Sequence, residues 1–141
     1  MTTIHPYLNF NGNTEEAFNF YKSVFGGEFL SIQRFRDIPD SGQIPATALD
    51  LIMHVALPIG GSVLMGTDAP ESMGFHVKTG NNVHLSLNAD SREEADRLFN
   101  ALSAEGRIEM PMSDMFWGAY FGSFADKYGI QWMISYEKPK S

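Results

Sequence analysis

Four histidines are the residues of this chain best suited to acid–base chemistry or metal binding near neutral pH. His5 and His84 lie in short stretches where polar and apolar residues alternate, as they do in a half-buried strand. The same alternation places His54 on the polar side of a third stretch, whereas His76 lies in a glycine-containing segment and is not expected at a site. Three imidazoles on polar strand faces could transfer protons to and from a ligand. They could equally line a pocket as hydrogen-bonding groups without a catalytic role.

A second group of candidate residues combines aromatic rings with one acid. Phe116 and Trp117 closely follow Asp114, just ahead of a strand-like stretch. A segment of this kind can close over a planar or apolar ligand. Because Asp114 is not placed to cap a helix, we interpret the segment as a pocket mouth, with packing at a loop edge or subunit interface as the alternative. Tyr7 lies two residues after His5 and is expected on the same strand face.

Composition and missing motifs exclude several classes of function. The 141 residues include no cysteine, which excludes disulfides, thiolate nucleophiles and zinc sites built on cysteine. Ten Lys and Arg against 17 Asp and Glu give a net charge of −7, which argues against a nucleic-acid partner. No apolar run reaches the roughly 18 residues of a membrane span, and the N-terminus lacks signal-peptide features, so we expect a cytoplasmic protein without membrane contact. Glycine-rich nucleotide loops and a G-x-S-x-G elbow are absent from the sequence, so methyltransferase activity is not expected.

Two segments, residues 14–25 and 92–104, have the apolar spacing of amphipathic helices. Both contain Glu-Glu-Ala near the start and are followed closely by glycine. Asn13 is expected to cap the first helix, and Ser91 is expected to cap the second in a capping box. The similarity of the two segments indicates an internal duplication.

The surroundings of the helices repeat as well, because one strand-like stretch precedes each helix and three follow it. The predicted strands are residues 4–10, 28–35, 48–57, 62–67, 83–88, 107–112, 118–125 and 130–136. The pattern is βαβββ twice, which predicts an α+β fold in a single domain over residues 1–141. Module 1 covers about residues 1–68, a linker about 69–80, and module 2 about 81–137.

Alternation along these strands also assigns their faces. Ile4 and Val83 are predicted among the apolar residues that cover the helices, and Trp132 is predicted in the core. Ile52 is predicted on the polar side, together with His54. The segment from 37 to 45 is expected to be a mobile loop that gates a site or simply connects two strands.

Three stretches, residues 6–21, 53–68 and 113–132, resemble the PhnB-like (YjdN-like) branch of the vicinal oxygen chelate superfamily, which includes glyoxalase I, resistance proteins and extradiol dioxygenases. The first stretch reads PYLNFNGN and runs into EEAFNFY; the others contain LMGTD, SDMFWG and DKYGIQW. The resemblance implies that the two modules form a curved, cup-like mixed sheet with helices on the convex side and a ligand in the concavity. It also implies a homodimer.

Metal-dependent members of this superfamily hold the ion with four strand residues. His5 and His84 match two of these positions, whereas Met65 and Met133 stand where carboxylates are expected. Two imidazoles and two thioethers suit a hard dication poorly, so no metal is favoured; a divalent ion, if bound, would use the two histidines. The alternatives are a soft Cu(I) site and a shifted site completed by His54, Asp68 or Asp114.

These observations predict a small-molecule-binding protein whose activity is unassigned. As an enzyme it would be a lyase or isomerase acting on a small oxygenated substrate, with His5 or His84 as the acid or base. The ligand pocket is predicted to include Tyr7, His54, Met65, Asp114, Phe116, Trp117 and Met133. The alternatives are a metal-dependent lyase or dioxygenase with an atypical ligand set, and a resistance-type protein that sequesters its ligand without chemistry.

Overall fold

The computed structural model describes residues 2–138, and the chain divides into two compact units. Unit 1 runs up to Lys78 and unit 2 begins at Thr79. Each unit has one long α-helix and one four-stranded sheet in the order βαβββ, which confirms the predicted α+β fold of two similar modules. The organisation of the chain as a single domain stays a prediction. Over the described residues, neither long helix has the length and apolar character required to cross a membrane.

Unit 1 forms a mixed sheet in the strand order β1-β4-β3-β2. Only β1 and β4 pair in parallel. Its elements are β1 (Tyr7–Phe10), α1 (Thr14–Phe25), β2 (Ser31–Arg34), β3 (Ile52–Ile59) and β4 (Ser62–Asp68). The bounds predicted for α1 are confirmed.

Unit 2 repeats this topology in the strand order β5-β8-β7-β6, with β5 parallel to β8. Its elements are β5 (Leu85–Asn88), α2 (Arg92–Ser103), β6 (Arg107–Asp114), β7 (Ala119–Ala125) and β8 (Gln131–Glu137). In both units the last strand therefore pairs in parallel with the first.

The core of unit 1 lies between α1 and one face of its sheet. The apolar stripe of α1 is buried together with Val55, Leu57 and Leu64 of the sheet. Gly66 lies on this face, because a Cβ built there would be 2.5 Å from Cε1 of Phe18. The helix can pack this closely on β4 because residue 66 is a glycine and has no side chain.

The core of unit 2 lies between α2 and the corresponding face of its sheet. Phe99 of α2 packs edge-on against Phe124 of β7, with ring centroids 5.1 Å apart. Trp132 is 1% exposed, which confirms the prediction that it belongs to the core. Its indole N–H donates to the buried carboxylate of Asp126 at 2.9 Å, so the polar edge of the ring is satisfied.

The prediction that Ile4 and Val83 cover the helices is wrong. Ile4 is 91% exposed and Val83 is 67% exposed. The strands begin later than predicted, at Tyr7 and Leu85, so both residues precede the paired part of the sheet. The alternation of polar and apolar residues continues before the hydrogen-bonded part of each strand, and there it does not predict burial.

The third strand also differs from the prediction. It begins at Ile52, and the residues before it form short 3-10 turns at Phe35–Asp37, Ser41–Gln43 and Ala46–Ala48. Gln33 pairs with His54 and Arg34 with Ile52, so one extra residue, Met53, makes a β-bulge. The bulge interrupts the alternation, and Ile52 is buried with the core instead of lying beside His54.

The two helices begin with different caps. Ser91 accepts a hydrogen bond from the backbone N–H of Glu94 at 3.0 Å, as predicted. Asn13 makes no such bond; the backbone N–H of Thr14 donates instead to Asp68 Oδ1 at 3.0 Å. Asp68 also accepts from the Thr14 hydroxyl and from the N–H of Ile52, so this buried carboxylate joins three elements of unit 1.

Candidate functional site

Each sheet carries its helix on one face and leaves the other face without a helix. We call the latter the open face of that unit. Strand register assigns the open face of unit 1, since paired residues point to the same side. Its residues are Tyr7, Asn9, Ser31, Gln33, His54, Ala56, Met65 and Thr67. Three of the predicted pocket residues, Tyr7, His54 and Met65, therefore share this face, which carries no carboxylate, Lys or Arg among these eight residues.

Tyr7 and His54 form a hydrogen-bonded pair on the open face of unit 1. The Tyr7 hydroxyl lies 3.2 Å from His54 Nδ1, and the ring centroids are 5.8 Å apart. The two residues come from β1 and β3, which lie on either side of β4. The sequence predicted that both would face a pocket, but the bond between them depends on the strand order.

His5 lies just before β1 and has a structural partner. Its Nδ1 accepts a hydrogen bond from the backbone N–H of Val63 at 3.1 Å. A neutral imidazole that accepts at Nδ1 carries its proton on Nε2. His5 can therefore donate from Nε2, but it could serve as a base only by releasing the N–H of Val63.

The open face of unit 2 is assigned in the same way. Its residues are Ser86, Asn88, Arg107, Met110, Ser113, Ala119, Phe121, Ser123, Ala125, Gln131, Met133, Ser135 and Glu137. His84 lies one residue before β5 and two before Ser86, so we place it at the edge of this face. The predicted residues His84 and Met133 thus belong to one open face.

His84 is paired with a carboxylate that the sequence reasoning missed. Its Nε2 lies 3.0 Å from Glu109 Oε1, and the two side chains are 22% and 28% exposed. Glu109 belongs to β6, at the opposite edge of the sheet from β5. Glu109 lies at a β-bulge between Ile108 and Met110, so alternation does not assign its face, and nothing in the sequence indicated that it would meet His84.

Asp114 does not lie on the open face. Both of its carboxylate oxygens accept from the Arg92 guanidinium, at 2.9 and 3.0 Å, and this pair joins the end of β6 to the start of α2. Its register partner Tyr120 donates to Asp96 of α2 at 2.6 Å, so this row of the sheet faces the helix. The interpretation that Asp114 lacks a structural role is wrong, because an ion pair across 22 residues was not visible in the sequence.

These contacts shift the pKa values of the groups involved. Hydrogen bonding to Arg92 holds the pKa of Asp114 below its ordinary value. The same pair raises the pKa of the Arg92 guanidinium. The hydrogen bond that Tyr120 donates to Asp96 raises the pKa of the phenol. Each shift favours the protonation state that the hydrogen bond requires.

Phe116 and Trp117 form the turn between β6 and β7. Phe116 is 98% exposed and Trp117 is 56% exposed, and their rings meet edge-on at 5.0 Å. The Trp117 ring also lies edge-on to Phe121 at 6.3 Å. Because Phe121 belongs to the open face of unit 2, Trp117 borders that face and extends its apolar surface.

The donor sets on the open faces do not fit the divalent metal that the family resemblance implies. Within residues 2–138 there is no group of three His, Asp or Glu arranged to hold an ion. The Nδ1 lone pair of His5 is used by Val63, and Met65 and Met133 offer only thioethers. For a shifted site, Asp68 and Asp114 are already committed to structural hydrogen bonds on both carboxylate oxygens.

Comparison with known proteins agrees with the fold. The model of the Glyoxalase/Bleomycin resistance protein/Dioxygenase superfamily matches residues 3–134. Protein YjdN of Escherichia coli K12 is 36% identical over 96% of this chain and 95% of its own length. The structure of PA1353 from Pseudomonas aeruginosa is similar with a TM-score of 0.87 at 40% identity, covering 99% of this chain and all of that one. A PhnB protein from Bacillus cereus gives a TM-score of 0.77 at 28% identity, covering 96% and 99% of the two chains. The chain therefore belongs to the Glyoxalase/Bleomycin resistance protein/Dioxygenase superfamily.

Proposed function

We propose that this chain binds a small oxygenated molecule on its open faces. The observation that carries the proposal is the placement of the predicted residues. Tyr7, His54 and Met65 share one open face, and His84 and Met133 share the other. Side chains that combine hydrogen-bonding groups with apolar surface are typical of ligand sites.

The open face of unit 2 is the stronger candidate for chemistry. His84 is half-buried beside Glu109, and Phe121 and Trp117 supply an aromatic border. If the chain is an enzyme, we propose a lyase or isomerase in which His84 moves a proton. His5 is less suited to this role because the backbone of Val63 uses its lone pair.

One observation favours a second candidate, a protein that sequesters its ligand without chemistry. Phe116 and Trp117 are exposed beside the open face of unit 2, and aromatic rings in that position can stack on a planar ligand. The net charge of −7 would favour a cationic ligand in this case. Binding of an organic cation without any turnover would support this candidate.

We also propose that the protein is a cytoplasmic homodimer. Large apolar side chains remain exposed in the single chain, which supports burial against a second copy. They include Ile4, Leu30, Ile32, Val83, Ile108 and Phe116. Light scattering should give twice the mass of one chain; a monomer at micromolar concentration would overturn the dimer.

Ligand binding is tested by ¹H–¹⁵N correlation spectra of the protein titrated with a panel of small 2-oxo acids, 2-hydroxy acids, aldehydes and phenols. We expect shifts at backbone amides of the open faces, for example at Ser86 and Ser123. Trp117→Ala and Tyr7→Phe should each weaken the binding of hits at their own face by about tenfold, the cost of one good contact.

His76→Gln provides the matched control, since His76 lies outside both sheets and is exposed. It should leave every titration unchanged. Shifts confined to residues away from both open faces, or no shift with any compound in the panel, would overturn the proposed function.

A further inference from the structure

We propose that Glu109 is a positioning residue that fixes His84 in one tautomer, and that this makes the open face of unit 2 a site for a ligand that donates a hydrogen bond. The part concerning the ligand rests on the proposed function. The part concerning the tautomer does not, because it follows from the contact between the two side chains.

The tautomer follows from the chemistry of the partner. An ionised carboxylate has only acceptor oxygens. At 3.0 Å from Glu109 Oε1, the Nε2 atom of a neutral His84 must therefore carry the ring proton. The lone pair is then on Nδ1, and no other described residue donates a hydrogen bond to it.

The environment of the pair holds this arrangement in place. His84 and Glu109 approach from the two opposite edges of one sheet, and both side chains are largely covered. A carboxylate behind an imidazole orients the ring and keeps its second nitrogen available as a base. Glu109 does not itself need to contact a ligand for this effect.

The contrast with His5 shows that an imidazole near a sheet edge need not offer a free lone pair. In His5 the Nδ1 atom accepts from the backbone N–H of Val63, so the accepting position is occupied. In His84 the neighbouring group is an acceptor, and the accepting nitrogen is left for a ligand. Of these two histidines, His84 is therefore the one with a nitrogen available to receive a hydrogen bond.

The ligand class follows from the free acceptor and its surroundings. A ligand that meets Nδ1 must present an O–H or N–H group. Ser86, Ser123 and Met133 lie on the same open face and offer hydroxyl and apolar groups, and Phe121 adds an aromatic surface. A hydroxyl compound with an apolar ring, such as a phenol, has this combination of groups.

The tautomer is tested on protein labelled with ¹⁵N-histidine at about pH 8.5, where imidazoles are ordinarily neutral. We expect a slowly exchanging Nε2–H resonance for His84 and an unprotonated Nδ1 signal in long-range ¹H–¹⁵N spectra. Glu109→Ala should remove the Nε2–H resonance, whereas Glu109→Gln, which can still accept through its amide oxygen, should retain part of it. The exposed Glu93→Gln on α2 is the matched control and should match wild type.

The spectra of wild type and of the Glu109 variants determine the tautomer of His84 and the role of Glu109. A protonated Nδ1 in wild type, or an Nε2–H resonance unchanged in Glu109→Ala, would overturn the role of Glu109. Thermal unfolding of Glu109→Gln and Glu109→Ala confirms that the variants are folded, so a lost resonance reports the local contact.

The ligand class is tested with phenol and with anisole, its methyl ether, which has no hydrogen to donate. Phenol should shift the Ser86 and Ser123 amides and bind about tenfold more tightly than anisole, and His84→Phe should abolish this difference. Equal affinity for the two compounds, or no binding of phenol while other compounds of the panel bind, would overturn the ligand class. If no compound binds either open face while the tautomer is as expected, the proposed function fails and the role of Glu109 stands.

Discussion

In each unit an ion pair, which we call the link, joins the end of a strand to the start of the helix. The arginine is on the strand in unit 1 and on the helix in unit 2. In unit 1, Arg34 at the end of β2 makes a two-point contact with Glu15 in the first turn of α1, at 2.6 and 3.1 Å. In unit 2, Arg92 at the start of α2 makes a two-point contact with Asp114 at the end of β6. The link therefore occupies corresponding places in the two units, although the arginine and the carboxylate are exchanged.

This exchange has an electrostatic consequence. An acid near a helix N-terminus is favoured by the helix dipole, and a cation there is not. Glu15 therefore suits its position, whereas Arg92 depends on Asp114 and on the face of the Tyr120 ring, 3.8 Å from its guanidinium carbon. Each guanidinium has a second neighbour besides its carboxylate, since Arg34 also donates to the backbone carbonyl of Asp50 at 2.8 Å.

The open faces differ as well. Unit 1 presents the pair Tyr7–His54, and unit 2 presents the imidazole–carboxylate pair His84–Glu109. In a hydrogen bond between a phenol and an imidazole either group can be the donor, whereas an ionised carboxylate can only accept. The two similar modules therefore carry different hydrogen-bonding pairs on their open faces.

The largest expected effect concerns the helix caps. In unit 1 the cap of α1 is Asp68, which is distant in the sequence, and in unit 2 the cap of α2 is the adjacent Ser91. Asp68→Ala should lower the free energy of unfolding by about 2–4 kcal/mol, because it leaves the buried N–H groups of Thr14 and Ile52 without an acceptor. Ser91→Ala should cost about 1 kcal/mol, the usual value of an N-cap. Urea unfolding followed by circular dichroism measures both. Equal losses in the two variants would show that the distant cap is worth no more than the local one.

A smaller effect should follow from reversing the link of unit 1. Arg34→Glu places two acids together and should cost about 1 kcal/mol. The double variant Arg34→Glu/Glu15→Arg adopts the polarity of unit 2 and should recover about half of that loss, because Arg at the helix start still opposes the dipole. Thermal unfolding of the two single variants and the double variant gives the coupling. A double variant no more stable than Arg34→Glu would mean that the link cannot be inverted in unit 1.

The smallest effect is the pH dependence of the link in unit 2. The pKa of Asp114 is lowered in the folded state by its hydrogen bonds to Arg92. Its contribution is therefore fully present above the ordinary Asp pKa of about 4 and is lost as pH falls through the lower folded value. Between about pH 5 and pH 3, the free energy of unfolding should fall less steeply in Asp114→Asn than in wild type. Parallel curves for the two proteins would mean that the pair contributes nothing to acid sensitivity.

Local patterns in the sequence were sufficient for the helices and for much of the open faces. The bounds of α1 follow from its apolar spacing and from Gly26, which ends it with φ of 78°. Alternation correctly separated Tyr7 and His54 from the buried side of their strands. Both signals act within a few residues of one another, so no knowledge of the strand order was needed.

The contacts that could not be predicted join residues distant in the chain. Asp68 caps a helix 54 residues earlier, and His84 meets a carboxylate 25 residues later. Such pairs depend on which strands are neighbours and on their register, which alternation does not specify. The ion pair of Asp114 could not be predicted for this reason, since Arg92 becomes its neighbour only after α2 packs on the sheet.

The bulge in β3 has a consequence for chain length. Ile52 and Val55 are both buried, although three residues apart, because Met53 is extra to the pairing with β2. Without Met53 the strand would alternate regularly, with Ile52 and Val55 flanking His54 on the opposite face. A relative one residue shorter at this point can therefore keep both the core and the side of the sheet on which the imidazole lies. Deletion of Met53 should disturb the fold less than deletion of Val55 or Leu57, which would move the residues that follow to the opposite face.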